Sequence, residues 1–226
     1  MRSRCATLLG AALLLLGGRT PLLLAQHKDV SVAFRFGTLG FGPEVAKLLT
    51  SHIDARVGAN FFKYSKTKAN SGITYDATLK LQAFSALIDF FPSNRGSFHL
   101  TGGIMTDPAK ITGEGKPTAS GTFEINGNTY TTAQVGNLTG SVKFPGVDPY
   151  VGLGWGTPAT MGGALKFIFD LGVAIGTAKV KLTSTGAASN PQLASDLQAQ
   201  VKTTQDDLDK YAKVYPVLSF GLAYRF

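Results

Sequence analysis

Few residues in this sequence carry side chains suited to acid–base, redox or metal chemistry. The chain has three histidines, His27, His52 and His99, and a single cysteine, Cys5. The motifs HExxH, CxxC and GxSxG, which would indicate a zinc protease, a redox dithiol or a serine hydrolase, do not occur. The carboxylates clustered at 206–209 lack the spacing of a calcium-binding loop. The sequence therefore predicts no catalytic motif, no metal site and no cofactor.

A second group of ionisable residues, five acids and four bases, is nearly balanced in charge. Each member lies on the polar side of a segment in which polar and apolar residues alternate. Charges that face an enclosed interior are costly unless they are paired and hydrogen-bonded. We therefore predict a network of ion pairs inside the protein. Its members are Arg35, Glu44, Asp54, Arg56, Asp89, Asp148, Lys166, Asp170 and Arg225.

The elements that must position these residues are β-strands, because the alternation has a period of two. Clear examples are residues 53–63, 147–155 and 165–175. One face of each segment mixes small residues with isolated charges, as expected inside a narrow barrel. The other face is mainly apolar and carries aromatic residues near the strand ends, as expected of a surface in lipid. The pattern predicts an all-β fold, an antiparallel transmembrane β-barrel.

The strand count follows from the connections between these segments. The predicted short turns are 49–52, 92–96 and 157–162, and the predicted long polar connections are about 65–72, 106–146 and 177–213. In such barrels the short turns lie on the side of both chain ends, and the long connections lie on the other side. A tight first hairpin at Gly37 and Gly40 then gives about eight strands. Alternatively, residues 30–48 form one long bent strand.

One segment departs from the strand pattern. From 190 to 212, apolar residues recur at Leu193, Leu197, Val201 and Leu208, with Gln, Asp and Lys between them. This spacing is typical of an amphipathic helix and places one helix in the last long connection, just before the last strand. Its apolar stripe either packs on the barrel mouth as a cap or binds a partner or a lipid surface.

The C-terminal residues form the most specific pattern of the sequence. Phe220, Leu222, Tyr224 and Phe226 fall on one face of the last segment, and mostly small residues fall on the other. A final strand that ends in an aromatic residue resembles the signal by which the barrel-assembly machinery recognises its substrates. These four residues are therefore the predicted assembly signal.

The first 25 residues have the layout of a secretory signal peptide. Arg2 and Arg4 precede an apolar run, and cleavage after Ala25 would leave residues 26–226 as the barrel domain. The alternative is an uncleaved N-terminal anchor. The formal charge of +8 falls to +5 on cleavage, since three arginines leave with the signal peptide. The remaining charge is spread along the chain, without the basic and aromatic clusters that nucleic-acid binding requires.

Together these features resemble the small outer-membrane β-barrel proteins of Gram-negative bacteria, the eight-stranded class that includes OmpA- and OmpW-like barrels. The segments that carry the resemblance are the signal peptide, GTLGFGPEV at 37–45, VDPYVGLGWG at 147–156 and YPVLSFGLAYRF at 215–226. The resemblance implies export through a cleaved signal peptide to the bacterial outer membrane. It also implies contact with periplasmic chaperones, the barrel-assembly machinery and outer-membrane lipid, and no nucleic-acid partner.

Three functions are compatible with such a barrel, because a fold alone does not decide a function. The favoured prediction is a non-enzymatic protein with a structural or interaction role, whose lumen is filled by its own side chains. The alternative is a narrow passive channel for small solutes. A lipid-modifying enzyme is the third hypothesis, with His99 as its only candidate base. A protein that binds a partner would use the segments at 106–146 and 190–212.

Overall fold

The computed structural model describes residues 29–70, 73–93, 96–106, 108–118, 120–156, 165–211 and 213–225. In chain order the elements are β1 (Val30–Gly37), β2 (Gly40–Thr50), β3 (Ile53–Asn70), β4 (Ile73–Phe90), β5 (Phe98–Thr106), β6 (Lys110–Pro117), β7 (Thr122–Ile125), β8 (Asn128–Thr131), α1 (Thr132–Val135), β9 (Leu138–Lys143), β10 (Val147–Trp155), β11 (Lys166–Ile175), β12 (Lys179–Ser184), a short 3-10 helix (Ala187–Ser189), α2 (Pro191–Tyr211) and β13 (Val214–Arg225). The predicted signal peptide at 1–25, the predicted turn at 157–162 and Phe226 lie outside the described residues.

Eight strands, β1 to β5 with β10, β11 and β13, form a closed antiparallel ring. The first and last strands close it, with Phe36 opposite Phe220 in their register. A tight turn joins β1 to β2, and Gly40 has a φ of +96°, in the left-handed region that favours glycine. The predicted count of about eight strands is confirmed, and the alternative of one bent strand over 30–48 is wrong.

The connections define two ends of the barrel. The end that we call the terminal end holds the start of β1, the end of β13 and the connections after β2 and β4. The opposite end, the loop end, holds the first hairpin and the long insertions that precede β10 and β13. Both long insertions therefore lie at one end, as the sequence predicted, and the short connections after β1 and β3 share that end.

The two faces of the ring differ as the alternation predicts. Inward Arg56 and Tyr150 are almost fully buried, whereas outward Val57 and Phe34 are 58% and 54% exposed. A row of seven outward aromatic residues crosses seven strands, each residue lying directly opposite the next. The row is Phe98, Trp155, Phe169, Phe220, Phe36, Phe41 and Phe61. The outer surface of the barrel is therefore a continuous apolar belt, and this row is its aromatic part.

At the loop end the sheet continues beyond the ring. The strands β3 and β4 have 18 residues each, and the outer part of β4 pairs with β6 rather than with β5. The strand β6 then pairs with β9, and β9 pairs with β12. We call residues 63–70 and 73–80, together with β6, β9 and β12, the extension sheet. It is a sheet of five strands that grows from one side of the barrel.

The prediction of long loops at the loop end is therefore wrong in part. Residues 65–70 belong to β3, and much of 106–146 and 177–213 forms strands and helices. The hairpin of β7 and β8 turns at Asn126 and Gly127, which both have positive φ, as a two-residue hairpin turn requires. These strands escaped prediction because they are only four to eight residues long and carry at most two large apolar residues each, such as Phe123 and Ile125 in β7, which is too short a pattern to mark a strand.

The helix α2 confirms the amphipathic helix predicted at 190–212. Its residues Leu193 and Leu197 are buried against Phe123 and Tyr130 of the β7–β8 hairpin. The apolar stripe thus packs against the hairpin and the extension sheet, at the loop end of the barrel. None of the helices in the described residues is both long and apolar enough to cross a membrane.

Two side chains of α2 fix its position by hydrogen bonds. Gln205 bonds with its amide to the edge of β12, donating to Ala178 O at 2.8 Å and accepting from Val180 N at 3.0 Å. Asp196 accepts hydrogen bonds from the Tyr130 hydroxyl and from Asn128 Nδ2, the latter at 2.8 Å. These contacts tie the helix to both the extension sheet and the hairpin.

Because of the Asp196 contacts, the packing of α2 on the β7–β8 hairpin depends on pH. Hydrogen bonds from Tyr130 and Asn128 lower the pKa of Asp196 below its ordinary value of 3.8. The stabilisation is therefore complete above that value and is lost as the pH falls through the lowered pKa.

We expect Asp196→Asn to reduce the protection of α2 amides against hydrogen exchange at neutral pH, and the difference from wild type to vanish in acid. Asp206→Asn, on the exposed side of the helix, is the control and should leave protection unchanged. Equal protection in wild type and Asp196→Asn at neutral pH would contradict this account.

Candidate functional site

Arg56 on β3 lies at the centre of the charged interior. Its Nε is 2.8 Å from Asp89 Oδ2, its Nη1 is 3.1 Å from Glu44 Oε2 and its Nη2 is 2.8 Å from Asp170 Oδ1. The three carboxylates come from β4, β2 and β11. The four side chains are at most 4% exposed, so water screens their attraction only weakly. A planar guanidinium group with five donors can satisfy three such partners at once.

A second arginine contacts two of the same carboxylates. Nε of Arg35 lies 2.8 Å from Glu44 Oε1, and Nη1 of Arg35 forms an ion pair with Asp170. His99 is a further partner of Asp170, with its Nε2 3.1 Å from Oδ1. Glu44 and Asp170 therefore each join two arginines. We call the group Arg35, Glu44, Arg56, Asp89, His99 and Asp170 the ionic cluster.

The ionic cluster is assembled from six strands, β1 to β5 and β11. Each member has the position in its strand that points inward, so closing the ring brings side chains together that are distant in sequence. Arg56 and Asp170, for example, are 114 positions apart. Thr101 joins the cluster by donating from its hydroxyl to Asp89 Oδ1 at 2.7 Å. Sequence reasoning missed this contact, although the inward position that Thr101 shares with His99 signals it.

Apolar side chains close the interior on both sides of the ionic cluster. The layer toward the loop end is Leu39, Ala83, Leu87, Met105, Tyr150, Ala174 and Val217, and the layer toward the terminal end is Ala33, Ile168 and Ala223. A cavity of about 20 Å³ beside the cluster is lined by Arg35, Glu44 and Arg56 among others. That volume holds about one water molecule. Within the described residues, the lumen at this level is filled by side chains.

The other members of the predicted network lie apart from the cluster. Arg225 is at the terminal end, with its Nη2 3.6 Å from Asp29 Oδ1. Lys166 is half-buried at the start of β11, and Asp148 lies toward the loop end, where its carboxylate approaches the backbone of Gly176. Asp54 is close to the cluster but is not paired with it. The structure thus brings five of the nine predicted residues into contact, and their role in function stays a prediction.

Asp54 has an unusual environment for a carboxylate. It lies directly opposite Asp89 in the register of β3 and β4. Its side chain is fully buried, and neither carboxylate oxygen has a hydrogen-bond partner among the described residues. A buried charged group without a partner destabilises the folded state. In the described parts of the chain, no group of three or more His, Cys, Asp or Glu residues could hold a metal ion.

The predicted assembly signal lies on the outer face of β13. Phe220 and Tyr224 are 40% and 48% exposed, and Leu222 is half-buried between them in the same apolar belt. Recognition of these residues by the assembly machinery stays a prediction.

A closed ring of eight antiparallel strands, with an apolar outer face and an ion-paired interior, is the fold of the small outer-membrane β-barrels. No protein-family model matches the chain, and no curated protein matches it. Two solved structures from Acinetobacter baumannii are similar in fold, those of CarO2 and CarO. Their TM-scores are 0.57 and 0.55, each with 18% sequence identity over 88% of this chain and 98% of the matched chain. The similarity covers nearly the whole of both relatives, so it includes the part of the fold beyond the ring.

Removing the central arginine should destabilise the barrel strongly. In Arg56→Met, three buried carboxylates lose a shared partner, and we expect the free energy of unfolding to fall by about 3–5 kcal/mol. Urea titration of the protein refolded in lipid vesicles measures this. Lys116→Met is the control, because Lys116 pairs with Asp76 and Glu114 at an exposed site, where water screens the attraction. A loss no greater than that of the control would show that the cluster does not hold the ring together.

Neutralising Asp54 should have the opposite effect. Asp54→Asn removes a buried acid that faces Asp89 and has no hydrogen-bond partner among the described residues, so we expect the free energy of unfolding to rise by about 1 kcal/mol. The matched variant is Asp89→Asn, which changes the residue directly opposite but removes an ion pair with Arg56. That variant should lower the free energy of unfolding. If both variants shifted stability in the same direction, the assignment of Asp89 as paired and Asp54 as unpaired would be wrong.

Proposed function

We propose that this chain is an integral protein of the bacterial outer membrane, with a structural or interaction role and a sealed lumen. The observation that carries the proposal is the apolar belt around a closed ring of strands. A closed ring satisfies its backbone hydrogen bonds internally, which allows strands to lie in lipid. Exposed side chains such as Phe34, Phe84 and Ile104 form a surface far more apolar than a soluble protein keeps in water.

Three further observations support the location. The fold is similar to those of CarO2 and CarO, which are outer-membrane barrels. The N-terminal residues have the pattern of a signal peptide, and the last strand carries the aromatic pattern of an assembly signal. Export through the inner membrane, transport by periplasmic chaperones and insertion by the barrel-assembly machinery form the route that this proposal requires.

The filled interior supports a sealed lumen rather than a channel for small solutes. Opening a path would separate Arg56 from three carboxylates and would also displace the apolar layers on both sides. Breaking a buried ion pair costs several kcal/mol, about 3–5 for a single missing partner. Such a barrier favours a permanently closed barrel over a spontaneously opening pore.

The position of His99 supports a non-enzymatic role. The ring is 1% exposed and lies between Asp170 and the ring of Phe91, at a centroid distance of 5.1 Å from the latter. A base that acts on lipid must reach a substrate at the barrel surface or in a lipid pocket. We infer that His99 instead positions the carboxylate of Asp170.

An interaction role would use the structure at the loop end. The extension sheet, the β7–β8 hairpin and α2 form a folded unit with its own buried core. A groove of about 520 Å³ between α2 and β12 is lined by apolar residues such as Leu182 and Val201 and by polar residues such as Lys181 and Gln198. This unit offers a shaped surface beyond the membrane, which a purely structural barrel does not need.

The proposal predicts a folded barrel that does not conduct. The protein without its first 25 residues, refolded into a planar bilayer, should give no discrete current steps, because the ionic cluster and the apolar layers fill the lumen. A refolded open porin in the same bilayer is the positive control, and heat-modifiable migration on a gel checks that the barrel has formed. Reproducible openings would overturn the sealed lumen and favour the channel, whereas failure to insert into bilayers would overturn the membrane location.

A further inference from the structure

Five lysines lie side by side on the extension sheet. Lys63 is directly opposite Lys80, Lys80 opposite Lys110, Lys110 opposite Lys143 and Lys143 opposite Lys179. Residues directly opposite in antiparallel strands share a face, so all five side chains lie on one surface, and all five are exposed. With strands about 4.8 Å apart, this lysine row is roughly 19 Å long.

The lysine row carries uncompensated positive charge. None of its members forms an ion pair with another described residue. The acids of the same sheet, Asp76 and Glu114, lie farther from the barrel and both pair with Lys116, at 3.0 Å. Like charges directly opposite one another destabilise a sheet. A surface that keeps five of them in register is therefore suited to an anionic partner.

The position of the row shows what kind of anion it would meet. Lys63 follows Phe61 by two positions on the outer face of β3, and Phe61 is the last member of the aromatic row. On β4, Lys80 stands four positions beyond outward Phe84, which is 48% exposed. The lysine row thus begins where the apolar belt ends at the loop end. In a barrel that spans a membrane, this is the level of the lipid headgroups.

A cavity links the row to the apolar surface. It has a volume of about 240 Å³ and lies where β4 leaves β5 and begins to pair with β6. Its lining includes the three lysines Lys80, Lys110 and Lys143 and the aromatic rings of Phe84 and Phe144. A free phosphate ion would use only the cationic side chains. A phosphorylated lipid would use both, with its phosphate on the lysines and an acyl chain against the rings.

We infer that the lysine row and this cavity form a binding site for a phosphorylated lipid of the outer leaflet, of the lipid A class. The inference rests on the proposed membrane location and adds a specific ligand to it. Several lysines acting on the phosphates provide the affinity, and each contributes more at low ionic strength than at high. Bound lipid also relieves the repulsion among the lysines, so the lipid should stabilise the extension sheet.

The test is lipid retention by the refolded barrel in a nonionic detergent, measured by native mass spectrometry. The probes are bis-phosphorylated lipid A and the same lipid after enzymatic removal of its phosphates. The row variant carries Lys80→Gln, Lys110→Gln and Lys143→Gln. The control variant carries Lys66→Gln, Lys68→Gln and Lys202→Gln, which remove the same charge from the opposite face of β3 and from α2. Heat-modifiable migration confirms that every variant is folded.

We expect wild type and control to retain phosphorylated lipid A equally, and the row variant to bind it about tenfold more weakly or worse. The dephosphorylated lipid should bind wild type as weakly as phosphorylated lipid binds the row variant. Replacing the three lysines by arginine should preserve retention. Equal retention by row and control variants would overturn the site. Displacement of the lipid by inorganic phosphate at a similar concentration would also overturn it, in favour of a simple anion site. A barrel that inserts into bilayers but fails this test refutes only the lipid site, because insertion tests the membrane location separately.

Discussion

Arg56 shares its guanidinium group among three carboxylates from three other strands, and the rest of the barrel depends on this arrangement. The group is buried, so each partner must be present for the charges to be tolerated. Glu44 and Asp89 lie on the two strands that flank β3, but Asp170 lies on β11 across the ring, so the complete cluster forms only when the ring is closed. It also requires space. A Cβ at Gly154 would lie 2.7 Å from Asp170 Oδ1, so a side chain there would displace the carboxylate from its arginines.

The ionic cluster also explains the distribution of residues between the two faces. An eight-stranded ring is just wide enough for its own side chains, so a charged centre must be enclosed by apolar layers that exclude water. Tyr150 and Met105 provide this on one side, and Ile168 provides it on the other. The outer face has the opposite composition, with an aromatic row that crosses seven neighbouring strands in register. The barrel is thus polar where a soluble protein is apolar, and apolar where a soluble protein is polar.

The extension sheet arises because β4 changes its pairing strand once along its length. β4 pairs with β5 as far as Phe84 and then pairs with β6 from Lys80 onward. The departure of β5 leaves the cavity beside the lysine row. It also leaves β12 as a free edge, and a free edge invites pairing with other chains. Gln205 of α2 occupies part of that edge by bonding to its backbone, so the helix protects the sheet as well as covering its apolar face.

The sequence by itself determined most strands of the ring, the inward or outward direction of their side chains and the helix before the last strand, and its glycines made a tight first hairpin one of two possibilities. These features depend on local periodicity and on the positions of glycine. Both are set by residues that are only a few positions apart in the sequence. Even the set of inward charges, Arg56 and Asp170 among them, followed from alternation. The sequence did not reveal the extension sheet, because β6, β9 and β12 are short and each has at most two large apolar residues on the face that α2 covers.

Only the tertiary structure decided which charges meet. Asp54 and Asp89 both point inward, yet in the closed ring Arg56 pairs with Asp89, whereas Asp54 has no hydrogen-bond partner in the part of the chain that the structure describes. The five lysines of the row are spread from position 63 to position 179 and look like scattered surface charge in the sequence. They become one surface through the register of five strands. Register is set by strand pairing across the whole sheet and by the closure of the barrel, and local sequence does not contain that information.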